Sequence, residues 1–79
     1  MDKLSLNEEI KIKKLFDLAS ENFEKNNFKV SQNLYQDILR INPKHPESYF
    51  NLGLIFQKFR EFNKAKESYQ KAINIKPNY

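Results

Sequence analysis

The strongest constraint on this chain is a set of small and apolar residues between Pro46 and Pro77 that recurs at helical spacing. Tyr49, Leu52, Gly53 and Phe56 stand at i, i+3, i+4 and i+7, so they line one face of a helix. Ala65, Tyr69 and Ala72 follow at i, i+4 and i+7 and define a second amphipathic helix. Gly53 and Ala65 are small where two helices must approach, and Tyr49, Phe56 and Tyr69 are large enough to fill the space around them. Pro46 suits a first helical position. The pattern predicts helices over about Pro46–Phe59 and Asn63–Ile75, with Asn63 capping the second.

The same skeleton returns when the chain is slid against itself by 34 residues. Leu18 falls on Leu52, Ala19 on Gly53, Phe28 on Phe62, Ser31 on Ala65, Tyr35 on Tyr69 and Pro43 on Pro77; Phe16 meets Phe50 and Ile41 meets Ile75. This divides the chain into a first unit, 12–45, and a second, 46–79, with 1–11 as an extension of the first helix. That helix is predicted to run to about Lys25 on the stripe Ile12, Leu15, Leu18, Ala19 and Phe23. Ser5 and Glu8 have the spacing of a capping box, Leu4 could staple it, and Glu8 and Glu9 suit the positive end of the dipole. Asn26–Asn27 ends it, because asparagine tolerates the left-handed turn, and a second helix is expected over Phe28–Ile41. The corresponding position in the second unit is Arg60, a less comfortable substitute for glycine.

The spacing over 46–79 resembles the tetratricopeptide repeat, W-x2-L-G-x2-Y…A-x3-F…P, with Tyr49 for the tryptophan, Phe56 for the tyrosine and Tyr69 for the phenylalanine. The first unit departs from it: Leu15 stands at the tryptophan position, Asn22 at the tyrosine position and Ile38 at the second alanine. The resemblance implies an all-α fold of antiparallel helix-hairpin repeats, stacked as a short right-handed α-solenoid (an α-α superhelix). It also implies a concave side lined by the first helix of each unit. From the first unit that lining would be Lys13, Phe16, Ser20, Phe23 and Glu24; from the second, Glu47, Phe50, Asn51, Leu54, Gln57 and Lys58. An apolar, aromatic groove edged by amides suits a peptide or partner helix, the alternative being that Phe16 and Phe50 pack on each other. Co-chaperone relatives grip an acidic tail with lysine and asparagine. Asn51 keeps one such position, but Phe16 and Ser20 replace the others, which argues against a carboxylate clamp.

Repeat arrays leave an apolar side for a neighbour. Here that flank would be Tyr69, Ile73 and Tyr79, so homodimer formation through these residues is the second expectation, alongside the chain being an excerpt of a longer array. A chain of 79 residues forms one small domain, which buries only about 60% of its unfolded surface.

Other functions find little support. There is no cysteine, so disulfides, thiolate metal sites and thiol nucleophiles are excluded and a reducing, cytoplasmic setting fits. The start lacks a long apolar run, so neither a secretory signal nor a membrane span is expected. Twelve lysines and two arginines give a net charge of +4, but ten acids are interleaved with them, several as Glu9–Lys13, Glu21–Lys25 and Glu67–Lys71 pairs on exposed helix faces. The densest basic spot is Lys11, Lys13 and Lys14, and the aromatics fall at core spacing, not between basic residues, which disfavours nucleic acid and membrane partners. The lone His45 lies in the Pro43–Pro46 turn and is expected to be solvent-exposed. With no base near any serine and no glycine-rich loop, the expectation is a protein that is not an enzyme and has no cofactor and no metal.

Overall fold

A computed structural model describes residues 3–78 as four helices: α1 (Leu6–Glu24), α2 (Phe28–Ile41), α3 (Pro46–Lys58) and α4 (Phe62–Ile75). Among the described residues there is no strand, and α1 packs on α2 as α3 does on α4. The chain divides into two compact units at Pro43–Lys44, each a helical hairpin. The all-α hairpin class expected from the periodicity is the class found.

Helix ends form where local chemistry satisfies orphan backbone groups. Ser5 Oγ accepts from the Glu8 N–H at 3.1 Å, and a Glu8 carboxylate oxygen accepts from the Ser5 N–H at 3.0 Å, completing the capping box. At the other end of α1, the Asn27 N–H reaches back to the Asn22 carbonyl at 2.8 Å and the Asn26 N–H to Phe23 at 3.0 Å. In α3 the bonds from Glu61 to Phe56 (2.8 Å) and from Arg60 to Gln57 (3.0 Å) repeat that pattern. Both are Schellman closures around a left-handed residue, Asn26 at φ 63° and Arg60 at φ 61°. Asn22, doubtful as a substitute for an aromatic, has a local use: its Nδ2 donates to the Leu18 carbonyl (2.9 Å) and its Oδ1 accepts from Asn27 Nδ2 (3.2 Å).

Three expectations need correction. Asn63 does not cap α4. The Schellman closure reverses the chain within one residue, so Glu61 becomes the N-cap and already accepts from the Ala65 N–H at 3.0 Å. His45 is not an exposed turn residue, since its side chain is 18% accessible and caps α3. Its Nδ1 accepts from the Ser48 N–H at 3.2 Å and lies 2.8 Å from Ser48 Oγ, a group buried completely. Leu18 is 47% exposed, while its repeat-mate Leu52 is 4% exposed. Leu18 sits about a third of a turn from Ile12 and Ala19, at the edge of the buried arc. In α3 that edge is closed by fully buried Ile55, where α1 carries exposed Glu21.

Buried Ile12, Ala19, Tyr35 and Ile38 form the apolar interior of the first unit, and Ser31 there donates its hydroxyl to the Ala19 carbonyl at 2.8 Å. Leu52, Gly53, Ile55, Phe56, Ala65 and Ala72 do so in the second. Surface ion pairs are local: Glu21–Lys25 (3.5 Å) forms as expected, while Lys13 turns to Asp17 (3.3 Å) and Lys71 sets its Nζ 5.5 Å from the Tyr49 ring centre. Exposed pairs of this kind contribute little to stability.

Candidate protein-interaction surface

In the second unit, α3 offers Phe50, Asn51, Leu54, Gln57 and Lys58 at spacings that share one side of the helix. The Phe50 ring lies 5.4 Å from that of Tyr69 on α4, tilted by 53°, yet Phe50 remains 37% exposed. Tyr69 donates its hydroxyl to Gln57 Oε1, which ties the ring back to α3, and burial pushes its pKa up. Phe50, Tyr69, Ala72 and Ile73 line an apolar depression of about 240 Å³. Asn51 and Leu54 are half-buried; Gln57 and Lys58 are exposed.

The first unit repeats this arrangement with different trim. Phe16 of α1 meets Tyr35 of α2 edge-on, with ring centres 5.6 Å apart, and Tyr35 is almost wholly buried. The Tyr35 hydroxyl lies 3.4 Å from Ser20 Oγ. Lys13 lies one turn ahead of Phe16 and pairs with Asp17. A phenylalanine from the first helix, seated on a tyrosine whose hydroxyl returns to that helix, is thus the shared element of both units.

The sequence reading separated Phe50 from Tyr69 and Ile73, giving the first to partner binding and the others to self-association. The structure puts all three in one depression together with Ala72, a residue expected only on the core stripe of α4. Ile73 is 45% exposed there, and Tyr79 lies outside the described residues.

A second difference concerns charge. Phe59 and Phe62, 40% and 58% exposed, stand among Lys58, Arg60, Lys64 and Lys66, so aromatics do interleave with basic residues. The signal lies one repeat away. In the first unit Phe28 packs edge-on against Phe23 at 5.2 Å, but position 57, the mate of Phe23, is a glutamine, so Phe62 lacks that ring.

Among the described residues no three His, Cys, Asp or Glu side chains converge on a metal-sized site, and no helix is long and apolar enough to cross a membrane.

Two helical hairpins offset by 34 residues, each pairing a first-helix phenylalanine with a second-helix tyrosine, define a helical-hairpin repeat protein. Residues 46–79 match the family model of the tetratricopeptide repeat. Over 43 residues the chain is 40% identical to Tetratricopeptide repeat protein 6 of Homo sapiens, a stretch covering 54% of this chain and 8% of that protein. The crystal structure of MamA superposes with a TM-score of 0.82 at 29% identity, covering 86% of this chain and 40% of that one. The chain therefore spans less than half of the length of either. Residues 46–79 thus carry a tetratricopeptide repeat and the helical fold is similar to that of MamA, likenesses that support a protein–protein interaction module in general.

Proposed function

We propose that this module is not an enzyme and binds a peptide or partner helix on the first-helix faces of its units, in the concave groove that the family resemblance implies. The observation that carries this reading is the repeated ring pair, Phe16 on Tyr35 and Phe50 on Tyr69, which presents an anchored yet accessible phenylalanine. Phe16, Phe50 and Leu54 would take the partner's apolar side chains. Ser20, Asn51 and Gln57 would bond its polar groups, and Lys13 and Lys58 would steer acidic sequences towards them. An apolar depression of about 240 Å³ beside Phe50 accepts one aliphatic or aromatic side chain. Panning a displayed peptide library on the full chain tests this. Selected peptides should bind the Phe50→Ala variant at least about tenfold more weakly, a loss of roughly 1.4 kcal/mol, with helix content unchanged. Peptides indifferent to Phe50 would refute the assignment.

A second reading rests on Ile73, which is 45% exposed beside Tyr69. On this reading the same depression, with Tyr79, mediates self-association into a homodimer, and Ile73→Lys abolishes any concentration dependence of the mass seen in sedimentation. We take the repeat units to be 12–45 and 46–79, with 1–11 extending the first helix. The setting we infer is the cytoplasm, which suits a cysteine-free composition.

A further inference from the structure

The turn between α3 and α4 is unlike its counterpart in the first unit. Lys58, Arg60, Lys64 and Lys66 surround it against one acid, Glu61, so nine residues hold +3 of the chain's net charge of +4. Glu61 is already engaged by Lys64 at 3.1 Å. Phe59 and Phe62 are 40% and 58% exposed among these cations, whereas Phe28 at the first turn is half-buried against Phe23 and Lys25 is paired with Glu21.

We propose that this turn docks peripherally on an anionic lipid surface, with Phe59 and Phe62 entering the boundary between headgroups and acyl chains while Lys58, Arg60, Lys64 and Lys66 meet the headgroup charge. The role shares Lys58 with the peptide-binding reading but does not rest on it, and it differs from a membrane span, for which no helix among the described residues is long and apolar enough. Three features select a lipid surface over the other anionic partners. A hairpin turn is convex and offers a peptide no groove to lie in. The N–H groups of Phe59, Arg60 and Glu61 are all spent on the carbonyls of Ile55, Gln57 and Phe56. The same closure lets the turn enter a poorly hydrating boundary without leaving those donors unsatisfied. Phenyl rings lack a polar edge and gain most from leaving water.

The test is flotation of the full chain with vesicles of phosphatidylcholine alone and of phosphatidylcholine mixed with phosphatidylserine. Binding is expected to the mixed vesicles and to weaken with added salt. Phe62→Ser, at the more exposed ring, and separately Phe59→Ser should each reduce it by at least about threefold, with circular dichroism confirming the fold. Phe62→Trp should show a blue-shifted emission on the mixed vesicles, a sign of insertion that simple charge adsorption does not produce. The proposal is overturned by no binding, by equal binding to both vesicle types, by indifference to both serine variants, or by an unshifted tryptophan. Preferential capture of a single-stranded oligonucleotide that depends on the same rings would also overturn it and give the turn to nucleic acid.

Discussion

The ring of Tyr69 occupies the space that a side chain at Gly53 would need: a Cβ there would lie 2.7 Å from Cδ1 and 2.8 Å from Cζ of the tyrosine. The ring cannot simply swing aside, because its hydroxyl is bonded to Gln57 and its face is met by Phe50. Gly53→Ala should therefore destabilise the second unit. Overpacking costs about 1–3 kcal/mol and opposes a helix-propensity gain of about 1 kcal/mol. Urea unfolding should show a lower midpoint, and a higher one would mean that the ring yields.

Arg60 holds φ at 61°, where a side chain is disfavoured. Arg60→Gly should stabilise the chain by about 1 kcal/mol, raising Tm by roughly 4–8 °C for a domain of this size. Asn26→Gly should gain less, because asparagine visits this region more readily. Thermal melts of both variants check the ranking.

His45 accepts a hydrogen bond at Nδ1 from the Ser48 N–H, so that nitrogen must be unprotonated for the cap to hold. Burial holds the imidazole pKa below its ordinary value, against a weaker opposite pull from Glu47, whose carboxylate is 3.9 Å from Nε2. The unfolded chain thus takes up the proton first. This contribution to stability is full above about pH 6.5 and declines as pH falls below it towards the depressed folded value. His45→Asn should retain an acceptor and remove that part of the pH slope. His45→Ala should cost about 1 kcal/mol at neutral pH. Urea midpoints across the acidic range measure both.

Ser31 is completely buried and donates to the Ala19 carbonyl at 2.8 Å, tying α2 to α1. Ser31→Ala should cost about 0.5–1.5 kcal/mol without altering the fold, since the repeat-mate Ala65 already fills this position in the second unit. A calorimetric scan gives the magnitude, and no change would show that the bond contributes nothing net.

Helix positions and closures were legible along the chain because they depend on near neighbours. The Ser5–Glu8 box, the reversal at Asn26 and Arg60, and the proline opening α3 need only residues within a turn or so, and all are found. The site was partly legible. The family resemblance names Phe50 as a lining residue, but its place in one depression with Tyr69, Ala72 and Ile73 was not legible, because that depends on how α4 lies against α3.

What the sequence by itself determined is the pair of amphipathic hairpins and their constant register, since periodicity and capping act locally. Tertiary structure decided which edges of those helices are covered. Leu18 and Leu52 share a register position but only Leu52 is buried; Phe28 and Phe62 share another but only Phe28 finds a ring; Ala19 carries a methyl where Gly53 has room for none. The physical reason is that burial belongs to a side chain together with whatever packs against it, and in a degenerate repeat those neighbours change even where the residue's own position does not.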